Sequence, residues 1–223
     1  MTRESVAELL GTGLLLFVIV GSGIAAQELS SDGAVQLLAH ALIVGLGLAV
    51  TILLFQSISG SHLNPAVTLA FWRDGTISGD RALRYTAAQL IGAVSGVVVA
   101  NLAFGLPAAS AATTDRIGVG LVVSELLGTF VLVLVILAPV RIGRPALIPI
   151  AVGAWVSVII FATPSTGFAN PAVTIARILT DTFTGIALSS VPAFLMAQLV
   201  AAVLAAAAAR TLYPTSSNQT ANV

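Results

Sequence analysis

The chain has 223 residues, of which 57% are hydrophobic and 8% are charged, and its nine arginines balance nine acidic residues. A mean hydropathy of +1.05 leaves too little polar material to cover a globule in water. Zero net charge offers no basic surface for nucleic acid, and the absence of cysteine excludes disulfides and thiolate metal sites. We therefore expect a lipid bilayer around the chain, no cofactor and no nucleic-acid partner.

Six apolar segments match or approach the length of a transmembrane helix, which is about 20 residues. These segments are residues 6–26, 35–55, 81–104, 118–140, 146–161 and 191–210. The first should remain as a helix rather than be removed as a signal peptide, because it is long and has no convincing cleavage region. We predict an all-α membrane protein in which residues 1–223 form a single domain.

Two shorter apolar segments, residues 64–72 and 170–179, follow the second and the fifth span. At about 1.5 Å per residue each covers roughly 14 Å, so two of them end to end would cross the hydrocarbon core. They are predicted to be re-entrant half helices.

The arginines indicate the orientation of the chain. If both termini are cytosolic, only Arg116 and Arg177 lie on the outer side, as the positive-inside rule favours. We predict the inner membrane of the cell as the location, with N- and C-termini in the cytosol.

The sequence also repeats itself. The matching segments are Asn64-Pro-Ala-Val-Thr-Leu-Ala70 with Asn170-Pro-Ala-Val-Thr-Ile-Ala176, and Glu8-Leu-Leu-Gly-Thr12 with Glu125-Leu-Leu-Gly-Thr129. Each half holds three spans and a half helix, and an odd number of crossings inverts the second half. We predict inverted repeats at approximately 1–107 and 117–213, with a pore between them.

Asn is a favoured helix N-cap and Pro a favoured first helical residue, so Asn64-Pro65-Ala66 and Asn170-Pro171-Ala172 should each begin a half helix. Irregular backbone at membrane depth survives only beside protein or a water-filled cavity, which predicts that both N-termini meet at the midplane. There the Asn amides can donate into the lumen and the positive helix ends repel cations. The pattern favours a passive channel for small neutral molecules.

Three other functions are alternatives to a channel. A secondary transporter would need an ion-coupling group at the midplane, and the sequence places no ionisable residue there. An enzyme is not expected, because no nucleophile motif or metal-ligand spacing accompanies His40 or His62. A structural junction protein with an occluded pore would differ only in its permeability.

The segment Ser59-Gly60-Ser61-His62-Leu63-Asn64-Pro65-Ala66-Val67-Thr68 closely resembles the first signature loop of the aquaporin and glycerol-facilitator (major intrinsic protein) family. The resemblance extends over almost the whole chain and implies the aquaporin fold and a homotetramer of independent pores. It also implies that Glu8 and Glu125 hydrogen-bond the re-entrant loops. His62 would face the cytosolic side of the pore or brace its loop.

The chain departs from the family directly after the second motif, where most members have an Arg that narrows the outer constriction. Val173 stands there. The other constriction positions implied by the resemblance are Val44, Ile160 with Val156 or Ile159 as alternatives, and Gly167 or Phe168. Without the Arg, the constriction should be wider and less polar than that of a water channel.

Val173 and its neighbours resemble a bacterial branch of the family that is associated with arsenic-resistance genes. The resemblance to this branch implies passage of arsenite or small methylated arsenicals. Arsenite is largely neutral As(OH)₃ near neutral pH, which suits a pore that rejects charge. We expect such metalloid hydroxides, with glycerol-like solutes and water as further cargo; a general water channel is the alternative.

Two further polar residues have open roles. Arg177, four residues beyond Val173, either restores the missing charge, extends to the outer interface, or pairs with Asp181. His40, one turn outward of Val44, either lines the outer vestibule or is a satisfied histidine between helices.

Overall fold

A computed structural model describes residues 1–214, which form eight α-helices and no strand. The helices are α1 (Arg3–Leu29), α2 (Gly33–Ser59), α3 (Pro65–Arg73), α4 (Gly79–Ala103), α5 (Val119–Arg141), α6 (Ile148–Ala162), α7 (Pro171–Ala176) and α8 (Val191–Leu212). Within residues 1–214, six helical segments are long and apolar enough to cross a membrane. The predicted all-α membrane fold is confirmed.

The helices lie close to their predicted places, with ends that differ by a few residues. Polar caps explain why the first, second and fourth helices begin earlier than their apolar runs: the Thr2, Asp32 and Ser78 side chains accept hydrogen bonds from the first backbone N–H groups. The second half helix is shorter than predicted. Its α-helical part has 6 residues and continues as the 3-10 turn Arg177–Leu179.

Both halves of the chain have the same order of elements. The first contains α1, α2 and α4 with the half helix α3; the second contains α5, α6 and α8 with α7. Each half helix contacts the third span of the opposite half, since α3 packs against α8 and α7 against α4, while α2 packs against α6. The halves therefore interlock. Their description as inverted repeats with boundaries near 1–107 and 117–213 stays a prediction.

Small residues bring the backbones of α1 and α4 together. A Cβ placed on Gly92 would lie 2.2 Å from the Leu9 carbonyl oxygen, and one on Gly96 would lie 2.2 Å from the Gly13 carbonyl oxygen. Close approach of this kind stabilises helix pairs in lipid, where burial against apolar tails contributes little.

Replacing Gly92→Ala should lower the stability of the folded protein by about 1–3 kcal/mol, because the added methyl group collides with backbone that cannot move independently. The apparent melting temperature in detergent measures this loss. Gly120→Ala in α5 is the control, since apart from its chain neighbours and its own helix backbone no atom lies within 4 Å of the added Cβ. An unchanged melting temperature for Gly92→Ala would contradict the close contact.

Candidate functional site

The two Asn-Pro-Ala motifs begin the two half helices. Asn64 Oδ1 accepts from the Ala66 N–H at 2.8 Å, and Asn170 Oδ1 accepts from the Ala172 N–H at 2.9 Å. Each motif Pro is the first residue of its helix, where its missing N–H costs nothing. Pro65, Ala66, Pro171 and Ala172 are buried and start the helices, whereas the two asparagines border the central cavity.

The motifs are also hydrogen-bonded to each other. Asn64 Nδ2 donates to the Ala169 carbonyl at 2.8 Å, and Asn170 Nδ2 donates to the Leu63 carbonyl at 2.9 Å. Each amide nitrogen has two N–H groups, so one joins the halves and the other remains for the lumen. The expected donation from the NH₂ group into the lumen is therefore left to one of its two N–H groups.

The loops that lead into the motifs hold unusual backbone. Residues with positive φ in these loops are Gly60, Ser61, Leu63, Thr166, Gly167 and Ala169, with φ from 48° to 86°. They lie four, three and one residues before Asn64 and before Asn170. For a residue with a Cβ this conformation costs about 1–2 kcal/mol, so the loops need strong partners.

Glu8 supplies those partners for the first loop. Its carboxylate is completely buried and accepts from the backbone N–H groups of His62 at 2.9 Å and Leu63 at 2.7 Å. The Ser59 hydroxyl and the Gln89 amide also donate to it, at 2.6 Å and 2.7 Å. One carboxylate from α1 thus fixes the loop that places Asn64.

Glu125 makes the equivalent bonds in the second half. Its buried carboxylate accepts from the backbone N–H groups of Phe168 at 2.9 Å and Ala169 at 2.8 Å. Gln198 on α8 donates to it at 2.7 Å and also to the Thr174 hydroxyl at 2.9 Å. Neither glutamate borders the cavity; both hold the loops that do.

A cavity of about 60 Å³ lies between the halves and borders both motifs. Its apolar wall consists largely of residues four apart on the long helices. They are Leu15 and Ile19 on α1, Val44, Leu48 and Ile52 on α2, Leu132 and Ile136 on α5, and Ile148, Val152, Val156 and Ile160 on α6. Residues four apart share one face of a helix, so the cavity runs along these helix axes.

The expected constriction residues lie on the wall of this cavity. Those that border it are Val44, Ile160, Gly167, Phe168 and Val173, together with the alternative Val156. Ile159 instead packs behind Gly167, where an added Cβ would lie 2.5 Å from its side chain. Of the three candidates on α6, the structure therefore places Val156 and Ile160 at the lumen.

Both histidines border the cavity and are hydrogen-bonded. His62 Nδ1 lies 3.1 Å from the Thr68 hydroxyl, and His40 Nδ1 lies 2.9 Å from the Ser22 hydroxyl. The His40 ring also meets Phe183 edge-on, with 5.6 Å between ring centroids. For each histidine the two expected roles therefore coexist. Its imidazole borders the lumen and is also hydrogen-bonded to a neighbouring hydroxyl group.

Arg177 is buried beside the cavity, and only 3% of it is exposed. Its guanidinium carbon lies 3.5 Å from the centre of the Phe168 ring, and its Nε donates to the Thr184 carbonyl. Asp181 instead accepts from the Thr113 backbone and hydroxyl, both at 2.9 Å. The expected alternatives of an interfacial side chain or an Asp181 pair are wrong.

Arg116 is a neighbour of the site that the sequence did not reveal. Its guanidinium carbon lies 5.0 Å from the Phe168 ring centre, its Nε donates to the Gly185 carbonyl at 3.0 Å, and its backbone N–H donates to Ser190. Burial lowers the pKa of this guanidinium, but an arginine stays protonated well above neutral pH. The only signal in the sequence was an isolated arginine in the loop between α4 and α5.

A model of the major intrinsic protein family matches residues 1–169. The chain belongs to this family. The aquaglyceroporin AqpS of Rhizobium meliloti (strain 1021) is 42% identical over 212 residues, which is 95% of this chain and 91% of that protein. The propanediol uptake facilitator PduF of Citrobacter freundii is 38% identical over 105 residues, 47% of this chain and 38% of that protein.

The fold has a solved counterpart in the X-ray structure of the aquaglyceroporin from Plasmodium falciparum. The TM-score is 0.71 over 95% of this chain and 94% of that one, at 24% sequence identity. The aquaporin fold is thereby confirmed. Major intrinsic proteins are channels and not enzymes, so this chain is a membrane protein that passes small solutes passively.

Replacing Glu125→Gln should destabilise the protein by about 1–3 kcal/mol. The new NH₂ group is itself a donor, so a backbone or amide N–H that now donates to the carboxylate loses its acceptor. Glu28→Gln makes the same chemical change on an exposed helix end and should have no effect. Unfolding of both variants in detergent micelles, followed by the loss of tryptophan signal, gives the comparison. Equal stability of the two variants would show that Glu125 does not hold the loop.

Proposed function

We propose that this channel passes small neutral solutes rich in hydroxyl groups and excludes ions. The cargo comprises metalloid hydroxides such as arsenite and/or small methylated arsenicals, together with glycerol-like solutes and water. The observation that carries the proposal is Val173, which borders the lumen where most family members have an Arg.

Apolar side chains surround the proposed constriction, namely Val44, Val156, Ile160 and Val173. Such a ring makes no strong hydrogen bond to a passing molecule and leaves more width than a ring that contains an extended Arg. The names of two relatives support small polyhydroxylated cargo: AqpS is an aquaglyceroporin and PduF is a propanediol uptake facilitator.

Ion exclusion is proposed to arise at the Asn64 and Asn170 amides. Two helix N-termini direct partial positive charge to the same point, which disfavours cations. The cavity wall bears no carboxylate within residues 1–214, so no negative group compensates a cation for its lost water. The same lack of carboxylates argues against a cation-coupled transporter.

A general water channel is the second candidate. The small cavity volume of about 60 Å³ favours it, because a narrow lumen admits water more readily than a larger solute. The rates at which solutes of increasing size enter liposomes distinguish a general water channel from the wider channel.

We further propose that the termini are cytosolic in an inner membrane and that the channel is a homotetramer. Arg141 and Arg210 gather around Asp74 at one end of the bundle, whereas Arg116 and Arg177 flank Phe168 near the other mouth. This distribution supports the orientation that the positive-inside rule favours.

Single cysteines in this cysteine-free chain test the orientation. In spheroplasts of a bacterial host, an impermeant maleimide should label Thr114→Cys directly and Thr76→Cys only after lysis, because these exposed loop residues would lie on opposite sides. The reverse pattern would overturn the orientation.

Light scattering of the detergent complex should give four chains, and any other number would contradict the tetramer.

Liposomes that contain the purified protein should swell faster than empty liposomes in gradients of glycerol and arsenite, without conducting K⁺ or Cl⁻. Stopped-flow light scattering measures the swelling, and ion-sensitive dyes measure the leak. Faster water flow without faster entry of glycerol or arsenite would favour the general water channel. Rates equal to those of empty liposomes would refute the channel itself.

Replacing Val173→Arg should reduce glycerol and arsenite passage about tenfold while water still passes, because the longer, charged side chain narrows and polarises the lumen. Val173→Leu is the control for added size without charge and should reduce passage less. Undiminished passage of the larger solutes through correctly folded Val173→Arg protein would show that this residue does not line the constriction.

A further inference from the structure

Two guanidinium groups lie against one aromatic ring near the outer mouth. The carbon of Arg177 is 3.5 Å from the Phe168 centroid and that of Arg116 is 5.0 Å from it. Only Arg177 borders the cavity, while Arg116 bonds carbonyls of the outer loop. The two arginines therefore differ in their access to the lumen.

The lumen-facing guanidinium is held from several sides. The Phe168 ring supports one face, the Thr184 carbonyl accepts from Nε, and the residue is almost completely buried. Neither Nη nitrogen of Arg177 has a protein partner within residues 1–214. These groups are therefore available to donate to a molecule in the cavity.

The aromatic support is itself fixed. The Phe168 backbone N–H donates to Glu125 at 2.9 Å, and its ring meets Phe194 edge-on at 5.2 Å. Contacts thus run from a buried carboxylate through Phe168 to the guanidinium of Arg177. A cation–π contact of this kind orients a charge at little entropic cost when the ring is immobile.

Arg177 reaches the cavity from one turn beyond Val173. It opens the 3-10 turn Arg177–Leu179, at the point where α7 ends. Four residues along a helix carry a side chain about one turn outward on nearly the same face. Its Cα therefore lies about one turn outward of Val173, while its guanidinium lies against Phe168, which borders the same cavity.

We propose that Arg177, supported by Phe168, is the residue that repels cations and donates hydrogen bonds at the outer mouth. An incoming neutral solute then offers an acceptor oxygen to Arg177 where it meets the apolar side chains that include Val173. This inference rests on the proposed function and adds a specificity-determining residue to it. A fixed positive charge beside a poorly solvated passage imposes an electrostatic barrier on cations.

The first test measures conduction in liposomes. Arg177→Gln should raise methylammonium entry about tenfold or more, because the barrier from the fixed charge is lost. Arg177→Lys should restore cation exclusion by keeping the charge. Arg84→Gln is the matched control, since this exposed arginine pairs with Asp80 away from the cavity.

The second test reads the local charge without requiring conduction. Val173→Cys introduces a single thiol, and its alkylation rate is measured with anionic iodoacetate and with neutral iodoacetamide, which are similar in size. Adding Arg177→Gln should lower the iodoacetate-to-iodoacetamide ratio several-fold, whereas adding Arg177→Lys or Arg84→Gln should not. Because only the ratio is compared, general changes in thiol reactivity cancel.

The two tests separate the possible failures. If the unaltered protein passes no solute, the proposed function fails, while the alkylation ratio still decides whether Arg177 sets the charge at the mouth. If Arg177→Gln changes neither cation entry nor the ratio, the inference is overturned. Arg177→Met provides a second neutral variant whose apolar stem keeps the packing on Phe168, should the Gln variant fold poorly.

Discussion

The lumen depends on two buried carboxylates. Glu8 and Glu125 each accept two consecutive backbone N–H groups from a loop whose left-handed residues cost about 1–2 kcal/mol apiece. Hydrogen bonds to a charged group contribute roughly 1.5–3 kcal/mol each, enough to offset that cost. Because these loops place Asn64 and Asn170, the caps, the bonds between the motifs and the lining of the cavity all follow from this pair.

On this shared framework the two mouths have different chemistry. His62 and Phe168 each lie two residues before a motif Asn and border the lumen. The imidazole is hydrogen-bonded to Thr68, whereas the phenyl ring supports Arg177. The residue two positions before the motif Asn is thus a polar imidazole at one mouth. At the other mouth it is a phenyl ring that holds the Arg177 cation.

Hydropathy and the two Asn-Pro-Ala motifs were enough to predict the spans and the half helices, because these depend on local capping and on apolar length. Most of the apolar cavity wall on α1, α2, α5 and α6 was not predicted. The position of Arg177 could not be predicted, since it depends on a 3-10 turn and on a carbonyl from a separate loop. The choice among Val156, Ile159 and Ile160 required the helix rotation, which a uniformly apolar segment does not reveal.

The bonds between the motifs have a consequence for biosynthesis. Asn64 and Ala169 are 105 residues apart in sequence, and Leu63 and Asn170 are 107 apart. The half helix α3 also packs against α8, which is made last among the described helices. As the chain leaves the ribosome, its first re-entrant segment must therefore wait for nearly the whole remaining protein, so the lumen closes late in membrane insertion rather than one half at a time.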